Sequence, residues 1–397
     1  MANDNDAVIV SAVRTAIGEY GKSLAGFSAT DLGAIVVREA IARAHVDPET
    51  LDEVIMGNVV GAGLGQAPAR QAALRGGVPG TVGCMTINKV CGSGLKAVML
   101  AAQAIRAGDA DAIVAGGMES MSTAPYLLPG ARWGYRMGNG KMLDAMVHDG
   151  LWDSFGDVHM GSYAELTARR SKISREEQDR FAVESNQKAA RAQRGGKFKS
   201  EIVAVEIPGK KGEKTLFEKD ERVREDATSE SLAKLKPAFE KDGTVTAGNA
   251  PGLNDGAAAL VVLSARRARE IGAKPLARVA GYATGGGPPE EVFYAPIHAV
   301  RKLLAKGAWK IGDFDLIEAN EAFSVQALAD GKELGWDWER VNVNGGAVAL
   351  GHPIGASGAR ILTTLLYALR DRKKTLGLAT LCLGGGNAVA LAVEAMS

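Results

Sequence analysis

The chain reads as an α/β protein made of two related halves with a segment inserted into the first, and three observations predict this. Apolar runs alternate with helical patterns in the first third, and the same rhythm returns late in the chain. Short matches link equivalent places in the two stretches, and the sequence between them turns polar and charged.

The first stretch runs through Ala7 to Val10, a helical pattern from Asp31 to Ala44, Val54 to Met56, a helical pattern from Gly94 to Ile105, and Ala112 to Ala115. The second runs through Leu276 to Val279, helical Ile297 to Ala305, Leu316 to Ala319, helical Ile361 to Leu369, and Leu376 to Leu381. Asp52-Glu-Val-Ile matches Asp315-Leu-Ile-Glu, and Cys91-Gly-Ser-Gly-Leu-Lys-Ala matches Gly355-Ala-Ser-Gly-Ala-Arg-Ile. A glycine pair at a strand end, Gly116-Gly117, is matched with Gly384-Gly385. Alternating βα units look alike whatever their origin, so two unrelated α/β units are the other reading.

Between the two stretches, Ser174-Arg-Glu-Glu177 reads as a capping box opening a helix around Gln178 to Gln193, with Gly195-Gly196 ending it. The run Ala257 to Leu263 reads as a buried strand that returns to the first half, and Ala265 to Pro275 as its last helix. The expected division is residues 1–121 plus 249–274, an inserted segment 122–248, and residues 275–397.

A chain of 397 residues exceeds one compact core. With 46% hydrophobic residues and a formal charge of +1, neither disorder nor a nucleic-acid partner is expected. The opening MANDNDAVIV has no basic start followed by a long apolar run, and no apolar stretch reaches about 18 residues, so neither secretion nor a membrane span is expected. Three cysteines without CxxC spacing argue against a disulfide framework or a zinc site.

The 50 glycines cluster around Cys91, His352 and Cys382. Cys91 stands where a strand signal ends and a helical pattern begins, near backbone N–H groups that favour a thiolate. Read alone, it is equally a buried structural thiol. His352 is the one histidine of five set in a glycine-rich strand-to-helix turn, opposite the Cys91 loop in the repeat; read alone, it is a turn residue. Cys382 ends an apolar run before Leu383-Gly-Gly-Gly386, whose backbone N–H groups suit an oxyanion. Packing is the ordinary role of such a cysteine. Asn320 follows a strand, where α/β sheets place their ligands, or serves as a helix cap.

Taken in order, NKVCGSGLKAV, NEAF, GHPIGASGAR and CLGGG resemble the signature blocks of the thiolase family. The segments SAVRTAIG, GGMESMS and LKPAFEKDGTVTAGNAPGLNDGAAAL carry the resemblance end to end. It implies a thiolase fold: two βαβαβαββ halves in five αβαβα layers with an inserted CoA-binding loop domain. It also implies a cytoplasmic homodimer or homotetramer, with an edge strand near Cys91 pairing across the dimer.

The implied chemistry is reversible Claisen condensation of two acetyl-CoA to acetoacetyl-CoA and CoA, with no tightly bound cofactor and no metal. By motif, Cys91 is the nucleophile, His352 its base, and Cys382 the acid/base at the carbon next to the thioester. Asn320, through water, and His352 hold the enolate oxygen, while the backbone N–H groups of Cys91 and Gly384 hold the tetrahedral oxyanion. The CoA side falls to Leu151, His159, Met160, Arg224, Phe239, Ala247, Pro251, Ala322 and Phe323, with Arg224 stacking on adenine. His159-Met160-Gly161 resembles the short-chain acyl pocket of the biosynthetic members.

Two features depart from the family pattern. Pro251 stands where serine is usual after TAGNA, removing a hydroxyl and a backbone donor. Asn387-Ala388 and Phe293-Tyr-Ala-Pro-Ile-His298 also differ, which puts acyl length in play. Three rivals follow: a degradative 3-ketoacyl-CoA thiolase of longer chains, a thiolase-like carrier without turnover, and a cysteine hydrolase using Cys91 and His352.

Overall fold

The computed structural model describes residues 3–209 and 212–396. The chain opens with strand β1 (Ala7–Thr15), helix α1 (Ala29–Ala44), β2 (Glu53–Gly57), β3 (Gly83–Ile87), α2 (Ser93–Ala107) and β4 (Ala112–Ser120). The inserted segment contributes helices α3 (Met160–Ser171) and α4 (Arg175–Arg194), and β5 (Asn254–Ser264) then returns to the first sheet. The second half contains β6 (Ala277–Gly286), α5 (Ala295–Gly307), β7 (Leu316–Ala319), α6 (Ser324–Leu334), α7 (Ile354–Arg372), β8 (Leu376–Leu383) and β9 (Asn387–Ala395).

The duplication is visible in the pairing. In the first half the strands run β3-β2-β4-β5-β1, with β2 parallel to β3 and β4, and the remaining pairs antiparallel. The second half runs β7-β8-β9-β6 with the same sense of pairing, and Val341 bridges Ile317 in parallel where β3 stands in the first half. Asp52 and Asp315 also do the same work. The Asp52 carboxylate accepts the N–H groups of Asp111 and Ala112 at 2.7 and 2.9 Å, and that of Asp315 accepts those of Thr375 and Leu376 at 3.0 Å each. A carboxylate so placed registers one parallel strand against the next, where no ladder partner reaches the first amides.

That equivalence corrects one expected match. Because Ala112 corresponds to Leu376, the pair Gly116-Gly117 corresponds to Thr380-Leu381 rather than to Gly384-Gly385, and Cys382 corresponds to Met118. Gly117 is small for another reason: a Cβ there would collide with the carbonyl of Gly355 at the start of α7.

Helix α1 covers the first sheet, α5 covers the second, and α2 and α7 pack against each other between the sheets, giving five layers. Every residue of α7 from Ile354 to Leu369 is buried, as a helix sandwiched between two sheets must be. Contact this close needs glycines. A Cβ on Gly94 would lie 2.7 Å from the Ala359 nitrogen, and one on Gly358 would meet the Leu95 backbone. These are the glycines that the internal match aligns.

The two sheets join edge to edge where Val8 and Ile9 pair with Arg278 and Ala277. The inserted segment is anchored by fully buried Arg14, whose guanidinium donates to Glu201 at 2.6 Å and to both Asp220 oxygens at 2.7 and 2.9 Å. The capping box is present, with Ser174 opening α4. Strand β9 and helix α6 have no counterpart among the expected elements.

Candidate active site

Cys91 rides on a strained elbow between β3 and α2. Val90 has φ +45°, a left-handed conformation costly for a β-branched side chain. Ser93 over-determines it, its Oγ accepting the Lys89 N–H at 2.8 Å and donating to the Val90 carbonyl at 2.7 Å. The elbow presses on the end of β8, since a Cβ on Gly92 would strike the Leu383 side chain. Cys91 therefore meets Cys382 and Gly384, the residues on either side of Leu383. The N–H groups of Gly384 and of Cys91 itself bond toward the Cys91 sulfur.

The expectation that the helix N-terminus leaves a thiolate here is reversed. Burial pushes the Cys91 thiol up to about 12, and the two N–H groups offset this only in part. A base is needed to remove its proton.

His352 follows Gly351, whose φ of +112° and a Cβ position 2.6 Å from Asn254 admit only glycine. Asn254 fixes the turn by accepting the His352 N–H at 2.9 Å and donating to the Gly18 carbonyl at 2.9 Å. The imidazole Nδ1 lies 2.6 Å from the Ser357 Oγ, and that hydroxyl donates its proton to the Pro353 carbonyl at 2.9 Å. Ser357 therefore accepts from Nδ1–H, which assigns the tautomer and leaves Nε2 a bare acceptor. Burial, with Arg360 adding to it, lowers the His352 pKa to about 3, so the ring is neutral at physiological pH. Sequence reading missed Ser357, although the internal match had aligned it with Ser93.

Cys382 sits one residue from the end of the strand ladder, opposite Ala388, and is buried. Its pKa is raised well above the ordinary thiol value by burial first, and then by like negative charge on Cys91 and Asp330. Asn320 follows β7 directly and is fully buried, with both side-chain polar atoms lacking a protein partner. It does not cap α6, which starts after Phe323. A second missed residue is Glu119 in GGMESMS. Its carboxyl accepts from Asn58 Nδ2 and the N–H groups of Val59, Val60 and Gly355, at 2.9 to 3.2 Å, tying the wall beside Cys91 to the start of α7.

One cavity of about 310 Å³ brings together Cys91, His352, Cys382 and Gly384 with Leu151, His159, Met160, Phe239, Pro251, Ala322 and Phe323. Asn320, Arg224 and Ala247 lie outside its lining. Arg224 is held by its backbone N–H on Asn186 at 2.9 Å, and the Ala247 carbonyl is taken by Arg222 at 3.2 Å. The His-Met-Gly motif has a packing reason. His159 caps α3 by accepting the Gly161 N–H at 3.0 Å and stacks on Phe239 at 4.8 Å, while a Cβ at position 161 would enter the Phe239 ring. Val292 and buried Phe293 complete the apolar end, with Phe293 edge-on to Phe323 at 5.3 Å. Among the described residues, no group of three or more His, Cys, Asp or Glu is arranged to hold a metal ion, and no helix is long and apolar enough to cross a membrane.

Two thiols and a neutral imidazole at the ends of duplicated α/β halves define a thiolase, and the chain belongs to that family. The model for the thiolase N-terminal domain matches residues 7–266, and that for the C-terminal domain matches residues 273–395. Among its relatives, the acetyl-CoA acetyltransferase of Cupriavidus necator is 57% identical over 98% of this chain and 99% of its own length. That of Escherichia coli K12 is 56% identical over 99% of this chain and all of its own. The crystal structure of the Bacillus anthracis acetyl-CoA acetyltransferase superimposes with a TM-score of 0.96 at 45% identity, covering 98% of this chain and 99% of that one.

Proposed function

We propose that the protein is an acetyl-CoA C-acetyltransferase that joins two acetyl-CoA into acetoacetyl-CoA and CoA, reversibly, through acyl-Cys91. The observation that carries this reading is the single cavity shared by the Cys91 and Cys382 thiols and the His352 ring. Its small volume and closure by Val292, Phe293 and Phe323 favour a short acyl group over the longer chains of a degradative enzyme.

His352 Nε2 takes the Cys91 proton, and the sulfur attacks the first thioester carbon. The C–S bond to CoA breaks, and the leaving CoA sulfur takes the proton from His352. The Cys91 and Gly384 N–H groups hold the negative oxygen. In the second half, Cys382 first yields its thiol proton to the bare Nε2 of His352, and the resulting thiolate removes a proton from the methyl carbon of the second acetyl-CoA. That carbon bonds to the acyl carbon on Cys91, the C–S bond to Cys91 breaks, Cys382 keeps the proton it took, and the Cys91 sulfur takes the proton held on His352 Nε2. Asn320, through water, and His352 hold the enolate oxygen. Arg224 and Ala247 contact the outer part of CoA, beyond the cavity.

A cytoplasmic homodimer or homotetramer accords with the unpaired outer edge of β3, which leads into the Cys91 elbow and exposes Met85. Mass spectrometry after mixing with acetoacetyl-CoA tests the central step. The expected product is an acetyl adduct on Cys91, and an unmodified Cys91 refutes the reading.

A further inference from the structure

Helix α6 carries a carboxyl in an apolar setting. Asp330 is fully buried, its Oδ2 accepts from Gln326 Nε2 at 2.6 Å, and its Oδ1 has no hydrogen-bond partner among the described residues. Burial pushes this carboxyl well above the ordinary carboxylate range. A leucine or valine would fill such a place without the desolvation penalty. The cost implies a use.

The surroundings say where that use lies. Val325 and Ala329, on the same helix, pack in one apolar cluster with Cys382, Ala322, Phe323 and Phe293. Asp330 is also near enough to Cys382 that a charge on one opposes a charge on the other. Gln326 Oε1 accepts the Ala322 N–H at 2.9 Å, and Ala322 lines the cavity. Because the Ala322 N–H can only donate, the Gln326 amide must turn its oxygen there and its NH2 toward Asp330. Without an acceptor at position 330, the buried NH2 group is left unsatisfied, and nothing holds Gln326 in that orientation.

We propose that Asp330 is a positioning residue for the carbon–carbon step: through Gln326 it holds Ala322 and the strip of cavity wall where the second acetyl-CoA meets Cys382. Acylation of Cys91 depends on the elbow, Gly384 and the His352 turn, and the one side-chain hydrogen bond of Asp330 goes to Gln326 and to none of these. The inference rests on the roles proposed for Cys91 and Cys382.

The test compares Asp330→Leu, Asp330→Asn and Gln326→Leu with the unaltered enzyme in two partial reactions. One is the acetyl adduct on Cys91, followed by mass spectrometry. The other is deuterium uptake at the acetyl-CoA methyl carbon in D2O, which needs Cys382. Asp330→Leu and Gln326→Leu are expected to form the adduct at the normal rate while slowing deuterium uptake roughly tenfold or more, the effect of one lost buried hydrogen bond. Asp330→Asn, whose amide oxygen still accepts from Gln326, is expected to restore most of the uptake.

Equal slowing of both reactions in a folded variant overturns the proposal, as does unchanged uptake in Gln326→Leu. Should Asp330→Leu fail to fold, Gln326→Leu and Asp330→Asn decide it. If the unaltered enzyme forms no adduct, the catalytic reading fails instead.

Discussion

Replacing Ser357 with alanine removes the group that assigns the tautomer of His352. In the structure Nδ1–H donates to Ser357 Oγ at 2.6 Å while that hydroxyl is committed to the Pro353 carbonyl at 2.9 Å. Alanine leaves two outcomes for a buried imidazole. Either Nδ1–H stays unsatisfied, at about 1–3 kcal/mol, or the proton moves to Nε2 and the ring no longer presents a base to Cys91. Either outcome penalises the state that deprotonates a thiol already raised to about 12 by burial. The acylation rate is expected to fall about 10- to 100-fold. Stopped-flow measurement of CoA thioester consumption in a single turnover reads that step directly. Threonine keeps the hydroxyl and should retain most of the rate. A Ser357→Ala enzyme that acylates within about twofold of the parent would refute the tautomer argument.

Acid should destabilise the fold through the same ring. An unfolded histidine protonates near 6.5 and His352 only near 3, so its contribution is complete above pH 6.5 and is lost as pH falls toward 3. The loss reaches at most about 5 kcal/mol, and urea unfolding of His352→Gln across that range should show a flatter dependence. Gly358→Ala forces a methyl into the Leu95 backbone, and denaturant unfolding should show a loss of about 3 kcal/mol or more. Gly312→Ala, with open space around it, is the control and should be near neutral. Phe293→Ala opens the apolar end of the cavity, and steady-state thiolysis across acyl lengths should shift toward chains longer than the parent accepts. An unchanged length profile would place the selecting wall elsewhere.

How much of this was legible in the sequence follows from how local each signal is. The alternating rhythm located the long strands and the helices between them, because burial on both faces writes an apolar run into the chain. Strand β3 left only a signal ending before Cys91, without bounds, because it is an edge strand, short and half-exposed, and β9 escaped because its alanines and valines carry no period that separates strand from helix. Cys91, His352 and Cys382 stood out through the glycines that their turns require. Ser357 and Glu119 did not, since each acts through a partner distant in sequence or across a helical turn. The thiolate expectation failed for the same reason: a helix N-terminus is visible in sequence, whereas the walls that desolvate the sulfur come from the inserted segment and the second half.

The pairing of halves explains why neither makes a site alone. At the end of β4 the chain presents Glu119, which accepts the Gly355 N–H at 2.9 Å and so steadies the turn that carries His352 in the other half. At the end of β8 it presents Gly384, whose N–H points at the Cys91 sulfur on the first half's elbow. Each central strand thus serves the helix start of the opposite copy, and the glycines at positions 94 and 358 let those two helices approach closely enough for it. Duplication supplied two equivalent strand-to-helix turns. Divergence then placed a nucleophile on one turn and a base on the other, which a single copy with one such turn cannot do.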